Sequence, residues 1–283
     1  MINLINSQKK VNYRNTANHE DRIANTSKQT NSFDSKGTPT MVNQFLKSTI
    51  LFITAPLRYI IRIEVRGQLE LKGRHTHQNL EKALAMQATA STAKYIARRM
   101  HNIPPLKNKF KLLDLAFSKV SSKTEGIVCE FGVFKGQTIN HISTLTSSTV
   151  YGFDSFEGLP ETWRGGFEKG TFKTEDLPTV NNNVALIKGW FSETVPAFAK
   201  NNEQNIKFLH IDCDLYSSTK TILDGLQDKI GPGCVIVFDE YFNYPGWEHG
   251  EFKAFHEFVE QNGIIYEYLS YNMHHEQVAL IIL

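Results

Sequence analysis

The sequence predicts an α/β fold: a mostly parallel seven-stranded sheet closed by an antiparallel C-terminal hairpin, behind a helical N-terminal extension. Three observations carry this. From Gly126 onward, short apolar runs alternate with stretches of helical period, which is the pattern of βαβ units and a parallel sheet. The last two apolar runs, "IIYEYLSY" and "QVALIIL", have only a short connection between them and so must pair antiparallel. Before Ser122 the ordered part of the chain reads as helix throughout.

Residues 1–40 are polar, rich in Asn, Ser and Thr, and lack apolar periodicity, so they are expected to form a disordered tail. They contain no signal-peptide core, and their acids argue against a transit peptide; Met41 is an alternative start. Residues 41–122 form the helical extension. Its first part, Phe45–Ile63, has an uncharged core from Ser48 to Leu57, well short of the roughly 18–20 residues that a membrane span needs. Phe45, Ile50, Ile53, Leu57 and Ile60 recur at helical spacing, interrupted near Pro56. Such a helix packs on its own domain or on a sister subunit, giving a homo-oligomer. The alternative is peripheral contact with a membrane surface. Helical patterns follow in "HQNLEKALAMQATASTAKYIARRM" and, after a break at "NIPP", in "KFKLLDLAFSKV".

Residues 123–283 form the α/β domain. Its strands are expected in "GIVCEFG", "TVYGFD", "NVALIKG", "IKFLHID" and "CVIVFD", ahead of the terminal pair. The helices between them are "GQTINHISTL", "SETVPAFAKN", "SSTKTILDGLQDKI" and "FKAFHEFVEQNG". A formal charge of +2 over 283 residues gives no electrostatic case for nucleic acid. Cys129, Cys213 and Cys234 sit inside apolar runs without CxxC spacing, which suits reduced thiols in a cytoplasmic protein.

"CEFGVFKGQT" joins the first strand of this domain to its helix through a glycine-bearing turn. Gly132 lets the backbone bend, and Gly136 lets the helix start approach a ligand. It is not GxGxxG, so the dinucleotide fingerprint is missing. An acid, Glu130, precedes the first glycine; it would repel a pyrophosphate but suits a cationic amine. Asp154 closes the second strand, where a carboxylate can accept ribose hydroxyls. The pair points to an adenosyl amino acid. Read separately, Glu130 is a strand-end acid and Asp154 a helix cap.

Taken in order, "CEFGVFKGQT", "YGFDSFEGLPE", "KGWFSETVP", "HIDCDLYSST" and "VIVFDEY" resemble the successive motifs of the macrocin O-methyltransferase family, from Gly126 to the C-terminus. The resemblance implies a class I, Rossmann-like methyltransferase fold, S-adenosyl-L-methionine as methyl donor and a requirement for Mg2+. It implies that Glu130, Gly132 and Gly136 frame the methionine part of the cofactor, Asp154 and Ser155 the ribose and adenine side, and Gly189 and Trp190 the adenine. Trp190 reads equally well as ordinary core packing.

Asp212, Asp239 and Glu240 end the fourth and fifth strands, where like charges should repel. A hard divalent cation with oxygen ligands relieves that repulsion and leaves positions for a substrate hydroxyl. The family carries two aspartates at the second strand end, and Glu240 departs from that pattern. Asp214 shares the face of Asp212 if the strand continues that far. It resembles the general base of some relatives, its alternative role being a helix cap. His249 is the second candidate for catalysis. "ETWRGGFEKGTF" is either a lid or a plain surface loop. The expected acceptor is a hydroxyl of a small molecule; the family suggests a sugar on a natural product or glycan. Two rivals stand beside this reading. A nucleotide-dependent oxidoreductase is disfavoured by Glu130 and the missing fingerprint, and a catalytically inactive scaffold by the clustered acids.

Overall fold

A computed structural model of the protein describes residues 54–55, 59–65, 79–121 and 125–283. The expected tail and most of the Phe45–Ile63 helix lie outside the described residues. The chain divides into two compact units, residues 1–68 and 69–283. In the first, residues 59–65 are helical, with Tyr59, Ile60, Ile61 and Ile63 exposed. Among the described residues no helix is long and apolar enough to cross a membrane.

The second unit begins with helix α1 (Leu80–Arg99), strand β1 (Pro105–Leu106) and helix α2 (Lys109–Ser118). These belong to the same unit as the sheet. Asn79 and Asn108 cap the two helices, the Asn108 side chain accepting from the amides of Phe110 and Lys111. Helix α2 buries Leu112, Leu113 and Ala116 against the sheet. Asn108→Ala leaves both amides without that acceptor. The expected cost is about 1 kcal/mol, or roughly 2–4 °C in Tm for a unit of this size, read by calorimetry.

The α/β part then follows in order: β2 (Ile127–Phe131), α3 (Gln137–Thr144), β3 (Val150–Asp154), β4 (Val184–Lys188), α4 (Phe191–Asn201), β5 (Ile206–Ile211), α5 (Tyr216–Gly225), β6 (Val235–Phe238), α6 (Glu251–Asn262), β7 (Tyr266–Asn272) and β8 (Val278–Ile282). All seven expected strands are present. The sheet order is β1-β7-β8-β6-β5-β2-β3-β4, and β8 runs antiparallel to both of its neighbours. The eighth strand, β1, falls where the sequence pattern shows only a break. Pro105 and Leu106 pair in parallel with the end of β7 at the sheet edge, and an edge position and the first place in a strand both tolerate a proline without an N–H.

Every residue of β2 and β6 is buried, as in a parallel sheet covered on both faces. One core cluster holds Phe131 and Phe153, stacked 4.4 Å apart; the other holds Leu112, Ile139 and Phe208. The chain moves from β2 to β3 and β4, then returns to β5 on the opposite side of β2. A crevice outside the carboxyl ends of β2 and β5 is the expected ligand site at such a reversal. The strand ends are tied there by backbone bonds: Gly132 N–H to Phe153 C=O (2.9 Å), Asp212 N–H to Phe131 C=O (2.8 Å), Asp239 N–H to Ile211 C=O (2.9 Å).

Candidate active site

A cavity of about 780 Å³ opens at this reversal. Of the residues expected to hold a cofactor, Gly132, Asp154, Ser155, Gly189 and Trp190 line it. Trp190 is 37% exposed at the start of α4, so it is not core packing. Gly132 has φ +93°, and a Cβ there would lie 1.7 Å from the Asp212 carbonyl oxygen, so only glycine lets the turn close onto the end of β5. Gly136 also has positive φ (+78°), but it packs towards Pro178 and Val180 and does not line the cavity. It is there for the turn into α3, a correction to its expected approach to a ligand.

Asp154 is held at the cavity by three backbone amides. Its Oδ2 accepts from the amides of Val133 and Phe134, both at 2.8 Å, and its Oδ1 from Phe156 N–H at 2.7 Å. The carboxylate thus clasps the glycine turn, and a loop rather than a helix comes after it. Ser155 Oγ accepts from Glu157 N–H at 3.1 Å.

Glu130 is fully buried and does not line the cavity. Its Oε1 accepts from Thr138 Oγ1 (3.0 Å), and its Oε2 lies 2.9 Å from His210 Nδ1. Both carboxylate oxygens, expected to meet a ligand amine, thus have protein partners. Burial raises the Glu130 carboxyl above its ordinary value, against His210 and Thr138.

Asp212, Asp214 and Glu240 line the cavity, and Asp239, next to Glu240, is buried outside its lining. Strand β5 stops at Ile211, so strand alternation is not what brings in Asp214. Instead Leu215 N–H bonds to Cys213 C=O (2.6 Å) across a three-residue turn centred on Asp214, whose φ is +65°. Non-glycine residues held in this region are strained and collect at functional sites. Helix α5 starts after Leu215 with no side-chain cap, so Asp214 is not a cap either. His249 is exposed at the end of a short 3-10 turn (Trp247–His249) and does not line the cavity. Asp214, which does line the cavity, is therefore the better placed of the two expected catalytic residues.

The acids perturb one another. Burial and the Asp239 charge push Asp212 and Glu240 well above the carboxylate range. Burial, then Asp239, raises Asp214 to about 7, with Arg164 opposing. Burial would raise Asp239 too, but His210 and Lys109 outweigh it and hold that carboxyl below its ordinary value. Gln277 Nε2 donates to Asp239 Oδ2 at 3.0 Å, and Lys109 Nζ lies 3.8 Å from the same oxygen. Glu251, fully buried at the start of α6, accepts from the Glu240 amide at 3.2 Å and so fixes the Asp239–Glu240 turn.

His210 is a donor that the sequence motifs do not single out. It stands near the end of β5, two residues before Asp212, and that spacing is the signal that could find it. Burial pushes its imidazole down, but Asp239 and Glu130 outweigh that and hold it at about 10. Lys109 has no sequence signal; it enters because α2 packs across the sheet.

The Glu161–Phe172 segment folds over the cavity. Leu159 N–H bonds to Thr171 C=O (2.9 Å), Trp163 N–H to Phe167 C=O (3.0 Å), and Trp163, Phe167 and Phe172 line the cavity. Arg164 lies 3.8 Å from the Trp163 ring centroid and 4.9 Å from that of Tyr244, and it pairs with Glu276 at 3.3 Å. Glu276 and His275 also line the cavity, in a turn whose sequence suggests no role. Cys129, Cys213 and Cys234 are buried and free.

The model of the macrocin-O-methyltransferase (TylF) family matches residues 168–270. Demethyldecarbamoylnovobiocin O-methyltransferase of Streptomyces niveus is 24% identical over 153 residues, 44% of this chain and 56% of the relative. A tetracenomycin-type 4'-O-methyltransferase of Streptomyces olivaceus, named for a rhamnosyl derivative, is 23% identical over 166 residues, 50% and 62% of the two chains. The chain therefore spans less than two thirds of either curated relative. The crystal structure of CalS11, a calicheamicin methyltransferase, superposes with TM-score 0.50 at 20% identity, covering 90% of this chain and 99% of that one, and shares its fold. Over residues 168–270, on a sheet of this order, the chain is thus similar to the macrocin-O-methyltransferase (TylF) family.

Proposed function

We propose that the protein is an S-adenosyl-L-methionine-dependent O-methyltransferase acting on a sugar hydroxyl of a small molecule, assisted by Mg2+ at Asp212, Asp239 and Glu240. The observation that carries this reading is that the glycine-turn cradle and the acid cluster open onto one cavity. The residues fit a cation. Glu240 Oε2 and His210 Nε2 are buried with no hydrogen-bond partner, and donor atoms of His210, Asp212 and Asp239 lie within 4.8 Å of one another.

S-adenosyl-L-methionine supplies a methyl group on a sulfonium, open to in-line displacement. A divalent cation supplies a Lewis acid that lowers the pKa of an acceptor hydroxyl. The chain's own residues do the rest. Gly132, Asp154, Ser155 and Gly189 shape one end of the cavity, and the aromatic segment walls off the other from water. Asp214, raised to about 7, is suited to accept a proton near neutral pH. Asp214 would take the proton of the acceptor hydroxyl as that oxygen receives the methyl group that a bound donor would supply as a sulfonium.

Arg164 holds the aromatic segment to the Glu276 turn through its stacking and its ion pair. Arg164→Ala is expected to raise the acceptor KM about tenfold with a smaller change in kcat, because it loosens binding rather than chemistry. Steady-state kinetics on an identified acceptor checks this.

The reading is tested by incubation with methyl-labelled donor and a panel of deoxysugar glycosides, with and without EDTA. Label in a methyl ether that disappears with EDTA and returns with Mg2+ is expected. Undiminished transfer in EDTA would remove the metal, and no transfer to any hydroxyl would remove the acceptor class. We further place the enzyme in the cytoplasm, consistent with its free thiols, as a homo-oligomer through the N-terminal helices. Sedimentation of a chain lacking the residues before Arg74 is expected to give a smaller species.

A further inference from the structure

We infer that the cation site of this chain takes a nitrogen donor: His210 Nε2 joins Asp212 and Asp239, and Glu130 orients that imidazole rather than meeting the cofactor's amine. The inference rests on the metal-assisted reading above and assigns two of the chain's own residues within it.

The geometry is one of paired constraints. The His210 side chain is 1% exposed, and its Nδ1 lies 2.9 Å from a Glu130 oxygen. The other Glu130 oxygen is taken by Thr138. A bound ion would displace the Nε2 proton to solvent while Nδ1–H still donates to Glu130, and the freed Nε2 lone pair would then face the acids. That nitrogen has no hydrogen-bond partner. Its nearest acid oxygen, Asp239 Oδ1, is 3.7 Å away, too far for a hydrogen bond. Gln277 holds the other Asp239 oxygen and leaves Oδ1 free. Two ligands each about 2.1 Å from one ion stand at most about 4.2 Å apart. Donors already within 4.8 Å thus need to close by only about half an ångström.

A carboxylate behind a histidine behind a metal is a recurrent support that fixes the tautomer and turns the ring. Imidazole suits Fe, Ni or Zn better than Mg, which prefers an all-oxygen shell, and Mn2+, at the low end of the transition series, serves as the spectroscopic probe of the site. The class of ion assigned is therefore a borderline divalent transition metal, held more tightly than Mg2+. The competing arrangement is an imidazolium that neutralises the acids by its own charge and touches no ion.

The test uses the full chain and Mn2+. Binding is followed by loss of the free-ion EPR signal, and coordination by nitrogen modulation of the spin echo. The expected result is bound Mn2+ with nitrogen modulation, at least about tenfold tighter than Mg2+ in competition. His210→Gln should remove the modulation. Glu130→Gln, the variant to use if His210→Gln does not fold, should weaken Mn2+ about 10–100-fold while S-adenosylhomocysteine affinity stays within about twofold. Bound Mn2+ without nitrogen modulation overturns the inference and leaves the metal reading intact. Loss of S-adenosylhomocysteine affinity in Glu130→Gln with Mn2+ unchanged returns Glu130 to the cofactor and overturns its assigned role. No Mn2+ binding, in a chain that still binds S-adenosylhomocysteine, overturns this inference and the metal-assisted reading together.

Discussion

Asp214→Asn is expected to lower kcat by about 10²–10⁴-fold, the range for loss of a positioned general base, with cofactor affinity unchanged. Asparagine tolerates positive φ as well as aspartate does, so the turn at φ +65° should survive the change. The side chain keeps its size and loses only the ability to take a proton. Circular dichroism and S-adenosylhomocysteine affinity should match those of the parent chain, which separates lost chemistry from lost structure. A variant that keeps more than about a tenth of parental kcat would assign proton removal elsewhere.

The largest effect on stability is expected at Gly132. An alanine methyl would lie 1.7 Å from the Asp212 carbonyl oxygen and 2.7 Å from its carbon, both backbone atoms that cannot rotate aside. Alanine must also sit at φ +93°, which costs it further. The end of β5 has to move, at roughly 3–5 kcal/mol, or about 10 °C in Tm. Because Asp212 moves with it, ligand affinity should fall as well. Gly165→Ala is the control: nothing lies within 4 Å of the place its methyl would take, and a change within about 0.5 kcal/mol is expected. Thermal unfolding of the pair with and without S-adenosylhomocysteine separates the two contributions.

The features legible in the sequence are those encoded by local pattern. Alternation of apolar runs and helical periods locates every strand of the α/β part, and the short final connection gives the antiparallel pair. Acids just past apolar runs identify Asp212, Asp239 and Glu240 as strand-end residues. Illegible are the features that depend on which way a side chain points and on elements far apart in the chain. Glu130 precedes the glycine turn as a ligand-facing acid would, yet it points to His210, some eighty positions away. Lys109 reaches Asp239 only through the packing of α2. His249 comes soon after the acid strand in sequence, but its loop carries it to the surface. Strand β1 is two residues long and exists only by pairing with β7. Asp214 does reach the cavity, but through a tight turn and not through the strand continuation that its spacing from Asp212 suggests.

The cavity at the β2–β5 reversal is proposed to hold the cofactor of a methyl transfer, and every functional role proposed for this chain depends on that proposal. Calorimetric titration of the full chain with S-adenosylhomocysteine, with and without Mg2+, tests it most directly. Micromolar binding to one site is expected in both conditions, weakened by substitution at Asp154. A folded sample that binds nothing in either condition would contradict it.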